Sequence, residues 1–154
     1  MEYQRGIAPR YFAGAAITAA IDANGVGKAV IFDTGVDEVI ESTEAGYQKF
    51  AGIIQSVDAE ATVTRSNALV NQGARNVAEG DAVGVINDHF VEVLVSGAVA
   101  FGDFLTTDDG GKLQKLTISA TPTAEEIFKI VGRSMGIVTD EEGGSVKAHV
   151  WVRK

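Results

Sequence analysis

A chain of 154 residues with 45% hydrophobic and 22% charged side chains has an ordinary globular balance and enough length for one domain with a core. Its net charge of −8 and scattered Lys/Arg leave no basic cluster to replace the counterions of a nucleic-acid backbone, and disfavour an anionic membrane surface for the same reason. Cysteine is absent, which excludes disulfides, thiolate nucleophiles and thiolate metal sites together.

The opening "MEYQRGIAPRYF" lacks the basic-then-apolar order of a signal peptide, and no apolar run approaches the length of a membrane-spanning helix, so synthesis and retention in a cytoplasm are expected. The segment "FAGAAITAAIDANG" is rich in alanine, with Ile17 and Ile21 four apart; it fits a helix or a tightly packed strand. Beyond it the apolar residues alternate at a period of two. Short strands are expected at 28–33 (KAVIFD), 37–42 (DEVIES), 50–57 (FAGIIQSV), 61–66 (ATVTRS), 81–87 (DAVGVIN), 89–97 (HFVEVLVSG), 103–107 (DFLTT), 111–116 (GKLQKL), 134–140 (SMGIVTD) and 146–154 (VKAHVWVRK). In "HFVEVLVSG" one face holds Phe90, Glu92, Leu94 and Ser96 and the other Val91, Val93 and Val95. Clusters of Gly and Asp such as "DTGVD", "DDGG" and "DEEGG" separate the strands. In "TPTAEEIFKI", Thr123 and Glu126 stand at capping-box spacing and predict a short helix over 124–130. The fold class expected is mainly β: a small barrel or sandwich of short antiparallel strands, with at most one or two short helices.

Several stretches invite a chemical reading. "NGVGKAV" carries a Gly-Lys pair, but Asp22 and Ala29 stand where a phosphate loop needs glycine and a hydroxyl, and Val30 where a dinucleotide fingerprint needs its third glycine. Asp108 and Asp109 are adjacent rather than alternating as in an EF-hand loop, and Asp-Gly between two alternating strands signals a hairpin. "VAEGDAV" (77–83) and "VAFGDFL" (99–105) echo one another, each Gly-Asp pair preceding a strand; the glycine is expected to supply an unusual backbone angle and the aspartate to brace the turn. "GRSMG" reads literally as G-x-S-x-G around Ser134, followed in order by Asp140 and His149. That elbow requires a strand-to-helix turn in a large α/β sheet, and the surroundings here read as strands. Neither His89 nor His149 belongs to a metal-ligand motif.

The succession "FAGIIQ" (50–55), "VEVLVSG" (91–97), "GDFLTTDDGGKL" (102–113), "IVGRSMG" (130–136) and "VKAHVWV" (146–152) resembles the small decoration, or cement, proteins of tailed-phage heads, over about two thirds of the chain. In that comparison 58–80 is an insertion, the segment around "TPTAEEIF" is longer than a plain hairpin needs, and G-R-S-M-G becomes a strand rather than an elbow. The resemblance implies a structural virion protein, made in the host cytoplasm. It implies a β-rich unit, often a homotrimer, on the capsid exterior, clamping neighbouring major capsid protein subunits, with no catalysis, cofactor or metal. A capsid-contacting arm is expected in residues 1–12, where Tyr3, Arg5, Arg10, Tyr11 and Phe12 combine aromatic and Arg side chains of the kind enriched at interfaces, ahead of a single β-rich domain over 13–154. The competing readings are another trimeric β-rich phage module, such as a fibre base or receptor-binding unit, and a small hydrolase using Ser134 and His149 or acting on nucleotides.

Overall fold

The structure, a computed structural model, describes residues 10–17, 25–34, 38–58 and 82–151. Among them are ten strands: β1 (Arg10–Ile17), β2 (Ala29–Phe32), β3 (Glu38–Glu41), β4 (Phe50–Asp58), β5 (Ala82–Asn87), β6 (His89–Val95), β7 (Phe104–Thr107), β8 (Leu113–Leu116), β9 (Gly132–Ser134) and β10 (Gly144–Val150). A 3-10 segment, Glu44–Lys49, follows β3, and one α-helix, α1 (Ala124–Phe128), follows β8. The mainly-β expectation is met, and "RYFAGAAI" is strand rather than helix.

The strands close into two five-stranded barrels, in the orders β1-β3-β2-β4-β5 and β6-β8-β7-β9-β10. Each contains one parallel pair, β1 with β3 and β6 with β8; every other pairing is antiparallel. Strand alternation alone anticipates antiparallel neighbours throughout, but parity forbids that: five strands cannot alternate in direction around a closed ring. Among the described residues each strand has a neighbour on both sides, the parallel contacts being short: β1 meets β3 at Ala16 and Ile17, and β6 meets β8 at Val95.

Replacing β1 through β5 by β6 through β10 reproduces both the order and the directions of the first barrel, so the chain is a tandem pair of one topology. The likeness extends to the connections. A helical segment follows the third strand in each half, and a glycine at positive φ stands two residues before the second strand, Gly27 (φ 88°) before β2 and Gly102 (φ 87°) before β7. The sequence echo at 77–83 and 99–105 is a different matter: its copies lead into β5 and β7, which are not counterparts, and residues 77–81 lie outside the described residues.

Burial explains why the two halves read differently. β6 and β10 alternate strictly, with Val91, Val93, Val95, Val146, Ala148 and Val150 buried inside the second barrel. β2, β4 and β5 instead bury consecutive residues, because one face lines the first barrel and the other packs on the second. Val30, Ile54, Val83 and Val85 belong to the first cluster, whereas Ala29, Phe50, Ile53 and Ile86 join the cluster that fills the second barrel. The barrels therefore share one apolar junction. Only Asp88 separates β5 from β6, and its φ of 52° turns the chain sharply from one barrel to the next, a conformation that aspartate tolerates better than most side chains.

Two boundaries depart from the sequence expectation. The strand expected over 134–140 lies earlier, as β9; beyond Ser134 the Met135 N–H still donates to the Lys147 carbonyl (2.8 Å), and Val138 forms an isolated bridge with Val99. The Ser134 hydroxyl donates to the Gly136 carbonyl (2.9 Å) and accepts from the Gly136 N–H (3.4 Å), a local turn that ends the ladder. The expected helix is present but stops at Phe128. The strand expected over 61–66 lies outside the described residues.

Candidate interaction surface

The turn between β7 and β8 works as a hairpin that also docks on the first barrel. Asp108 N–H donates to the Lys112 carbonyl (2.9 Å), and the chain reverses through Gly110 and Gly111, both at positive φ. The Asp109 carboxylate accepts from the Glu44 N–H (3.0 Å) at the start of the 3-10 segment. Ser42 Oγ donates to the Asp108 carbonyl (2.8 Å), and Lys28, which bridges to Glu41, also donates to the Gly110 carbonyl (3.2 Å). Of the two acids that look like ligands in isolation, Asp109 bridges to the first barrel through its carboxylate and Asp108 through its backbone carbonyl.

The bracing expected of Gly102-Asp103 is observed. The Asp103 carboxylate accepts from the Ala100 N–H (2.8 Å) and pairs with Lys115 (3.0 Å). Partial burial raises its pKa, but these two partners outweigh that and hold it below the ordinary aspartate value.

Ser134 and His149 do not form a catalytic pair. Ser134 is buried and its register partner is Ala148, so it shares the inward face of β10, whereas His149 is in register with Arg133 and faces outward. No group of three His, Cys, Asp or Glu suited to a metal ion occurs among the described residues.

Of the residues expected to contact a capsid, Tyr3 and Arg5 lie outside the described residues. Arg10, Tyr11 and Phe12 open β1, in register with Asn87, Ile86 and Val85, so their backbone is built into the first barrel. The structure brings them together along one strand beside the start of β6.

Two surface features stand out, one on the second barrel and one between the two halves. The first is a row of outward residues across the sheet of the second barrel. Phe90 is in register with His149, His149 with Arg133, and Arg133 with Phe104. The Phe90 and His149 rings stack at 4.8 Å, Trp151 lies 5.5 Å from His149, and the Arg133 guanidinium sits 5.8 Å from the Phe104 ring while its Nε donates to the Gly102 carbonyl (3.0 Å). Phe90 is 57% and Phe104 37% exposed, and Phe101, Met135 and Ile137 are also exposed on the neighbouring connections. Aromatic, Arg and Met side chains at a surface are the composition of a protein–protein interface. A signal for this row was present in "HFVEVLV" and "VKAHVW": with the valines inside, Phe90 and Trp151 are apolar residues left over.

The second feature is a cavity of about 640 Å³ between the 3-10 segment and α1, lined by Phe32, Tyr47, Phe50, Phe128 and Trp151 with Lys49 and Glu125 among its polar groups. Lys129 lies 5.7 Å from the centre of the Tyr47 ring and pairs with Glu125 (3.2 Å), which raises its pKa. Helix α1 starts with a full capping box: Thr123 Oγ1 accepts from the Glu126 N–H (3.2 Å), and the Glu126 carboxylate accepts from the Thr123 N–H (2.7 Å).

That Thr123 bond, with further bonds from Ser119, holds the Glu126 pKa below the ordinary glutamate value. A carboxylate depressed on folding adds stability above its unfolded pKa and loses it as pH falls through the folded one. The Glu126 midpoint measured by NMR titration is therefore expected below the usual glutamate range, with the Thr123 and Ser119 amide shifts following it. Thr123→Ala should destabilise this helix by about 1 kcal/mol, read as faster amide exchange over 124–128 with little change in the global melting temperature.

No protein-family model matches the sequence, and no curated protein matches it. Among solved structures the chain is similar to the crystal structure of the head fiber gp8.5 N base in bacteriophage phi29, at 16% sequence identity and a TM-score of 0.47. The match covers 95% of this chain and 99% of that one.

Proposed function

We propose that this is a structural virion protein that binds the outer surface of a tailed-phage head and stabilises contacts between major capsid protein subunits. The observation that carries the reading is where the decoration-protein-like segments fall. "VEVLVSG", "GDFLTTDDGGKL", "IVGRSMG" and "VKAHVWV" fall on β6, the β7–β8 hairpin, β9 and β10, the strands of the second barrel, and "FAGIIQ" falls on β4 of the first. The resemblance thus reaches every strand of the second barrel and one strand of the first.

The physics of the fold suits a clamp. A shared apolar junction between two closed barrels makes a stiff body that transmits load. Copies that associate with one another and engage several equivalent capsid positions gain avidity, so modest single contacts yield slow release. Self-association, as a homotrimer in the family resembled, belongs to this proposal.

The test is co-sedimentation of purified protein with expanded phage heads lacking their natural decoration. Saturable binding, together with greater resistance of the heads to heat or chelator, is expected. Failure to bind, or binding at the tail or at a fibre attachment point, would replace this reading with the fibre-base alternative.

A further inference from the structure

The tandem topology gives each residue of the outward row a counterpart in the first barrel. Phe90 is the second residue of β6 as Tyr11 is of β1; His149 is the penultimate residue of β10 as Ile86 is of β5; Phe104 opens β7 as Ala29 opens β2. Arg133 and Ile53 are the residues that join the last two in register. The first-barrel row is therefore Tyr11, Ile86, Ile53 and Ala29, linked by the same sequence of pairings.

Those counterparts have a known occupant. Ile86, Ile53 and Ala29 are buried in the cluster that fills the second barrel, so on the first barrel this face already docks the next barrel along. On the second barrel the same face is left uncovered by the described residues, and it carries Phe90, Phe104 and Arg133 instead of aliphatic residues. The partner follows from that correspondence: within the chain this face holds a barrel of the same topology, and the barrel that would come next belongs to a second copy.

We infer that the row Phe90–His149–Arg133–Phe104 is the docking face for the first barrel of a second copy of this chain, head to tail. Such a contact is heterologous: it uses two different surfaces and repeats until the rotation closes a ring. It names the contact for the self-association proposed above and rests on that reading only for its biological purpose. Its test needs no phage head, so either idea can fail alone.

The experiment is light scattering on the full chain across a concentration series. Wild type is expected at a multiple of 16.1 kDa. Arg133→Glu and Phe90→Ser, both at exposed positions, should raise the dissociation constant about thirtyfold or more, as loss of an interface hot spot does. Their circular dichroism should stay that of wild type. Phe128→Ser, on the rim of the cavity and outside the row, should keep the wild-type mass. A wild type that stays at 16.1 kDa at every concentration overturns the inference, as does an assembly disrupted by Phe128→Ser but not by the row variants. If wild type is monomeric and Arg133→Glu abolishes binding to heads, the row serves a foreign partner and the second-copy assignment falls.

Discussion

Ile53→Ala is expected to lower the melting of both barrels together, in one transition. Ile53 is fully buried on β4, and it faces the cluster of the second barrel although it belongs to a strand of the first. Truncating a buried isoleucine costs about 2–5 kcal/mol, through lost transfer free energy and the cavity left behind. For a chain of this size that is a drop of roughly 5–20 °C. Because the cavity opens at the junction, the second barrel loses its packing partner as well as the first. Circular dichroism and calorimetry should show a single shifted transition, and hydrogen exchange should report faster global opening at both Val85 and Val93. If instead the first barrel melts early while the exchange of β6 and β10 amides is unchanged, the barrels are independent units and the shared core is energetically unimportant.

Gly52→Ala comes next in expected effect, and for a backbone reason. Gly52 lies where the β2–β4 register shifts, at φ 144°, and a Cβ there would stand 2.4 Å from the Ile86 carbonyl oxygen and 2.8 Å from a Val85 methyl. An irregular ladder position of this kind is a place where one backbone crosses close over another. The unfavourable φ costs about 1–3 kcal/mol, and forcing β4 away from β5 adds about 1–3 kcal/mol of overpacking. The variant should express poorly or melt well below wild type, whereas Gly110→Ala, where nothing lies within 4 Å of a new Cβ, should show only the turn strain. Equal effects of the two changes would mean that crowding at Gly52 is relieved at little cost.

How much was legible beforehand follows from what each residue depends on. The valine alternation of β6 and β10 was readable because one face of those strands meets solvent, so period two survives in the sequence. The capping box of α1 was readable because Thr123 and Glu126 bond only to each other's backbone and to the adjacent loop. The end of β9 was misplaced because a hydroxyl bond within "SMG" competes with strand pairing, and period-two patterning does not register it. The face of Ser134 was beyond sequence reasoning: G-x-S-x-G places the residue in a string, and only the register with Ala148 turns it inward, away from His149.

The binding row was half visible. Phe90 and Trp151 are apolar residues on the wrong side of alternating strands, but the neighbours that make them a surface come from β9 and β7, distant in the chain. The tandem topology was invisible because the two barrels share strand order and differ in chemistry. Counterpart rows hold Ile86, Ile53 and Ala29 in one barrel and His149, Arg133 and Phe104 in the other, since one is buried and one is not.

By itself the sequence determined the class of the fold, the strands from β2 to β8 and β10 with their turns, the short helix and the absence of thiol chemistry, because each depends on the residue and its near neighbours. Only the tertiary structure decided that ten strands close as two rings rather than one, that consecutive apolar residues in β2, β4 and β5 serve two cores, and which outward face is left uncovered. Those are questions of pairing between distant segments, and a strand's pattern records that it has a buried side without recording what buries it.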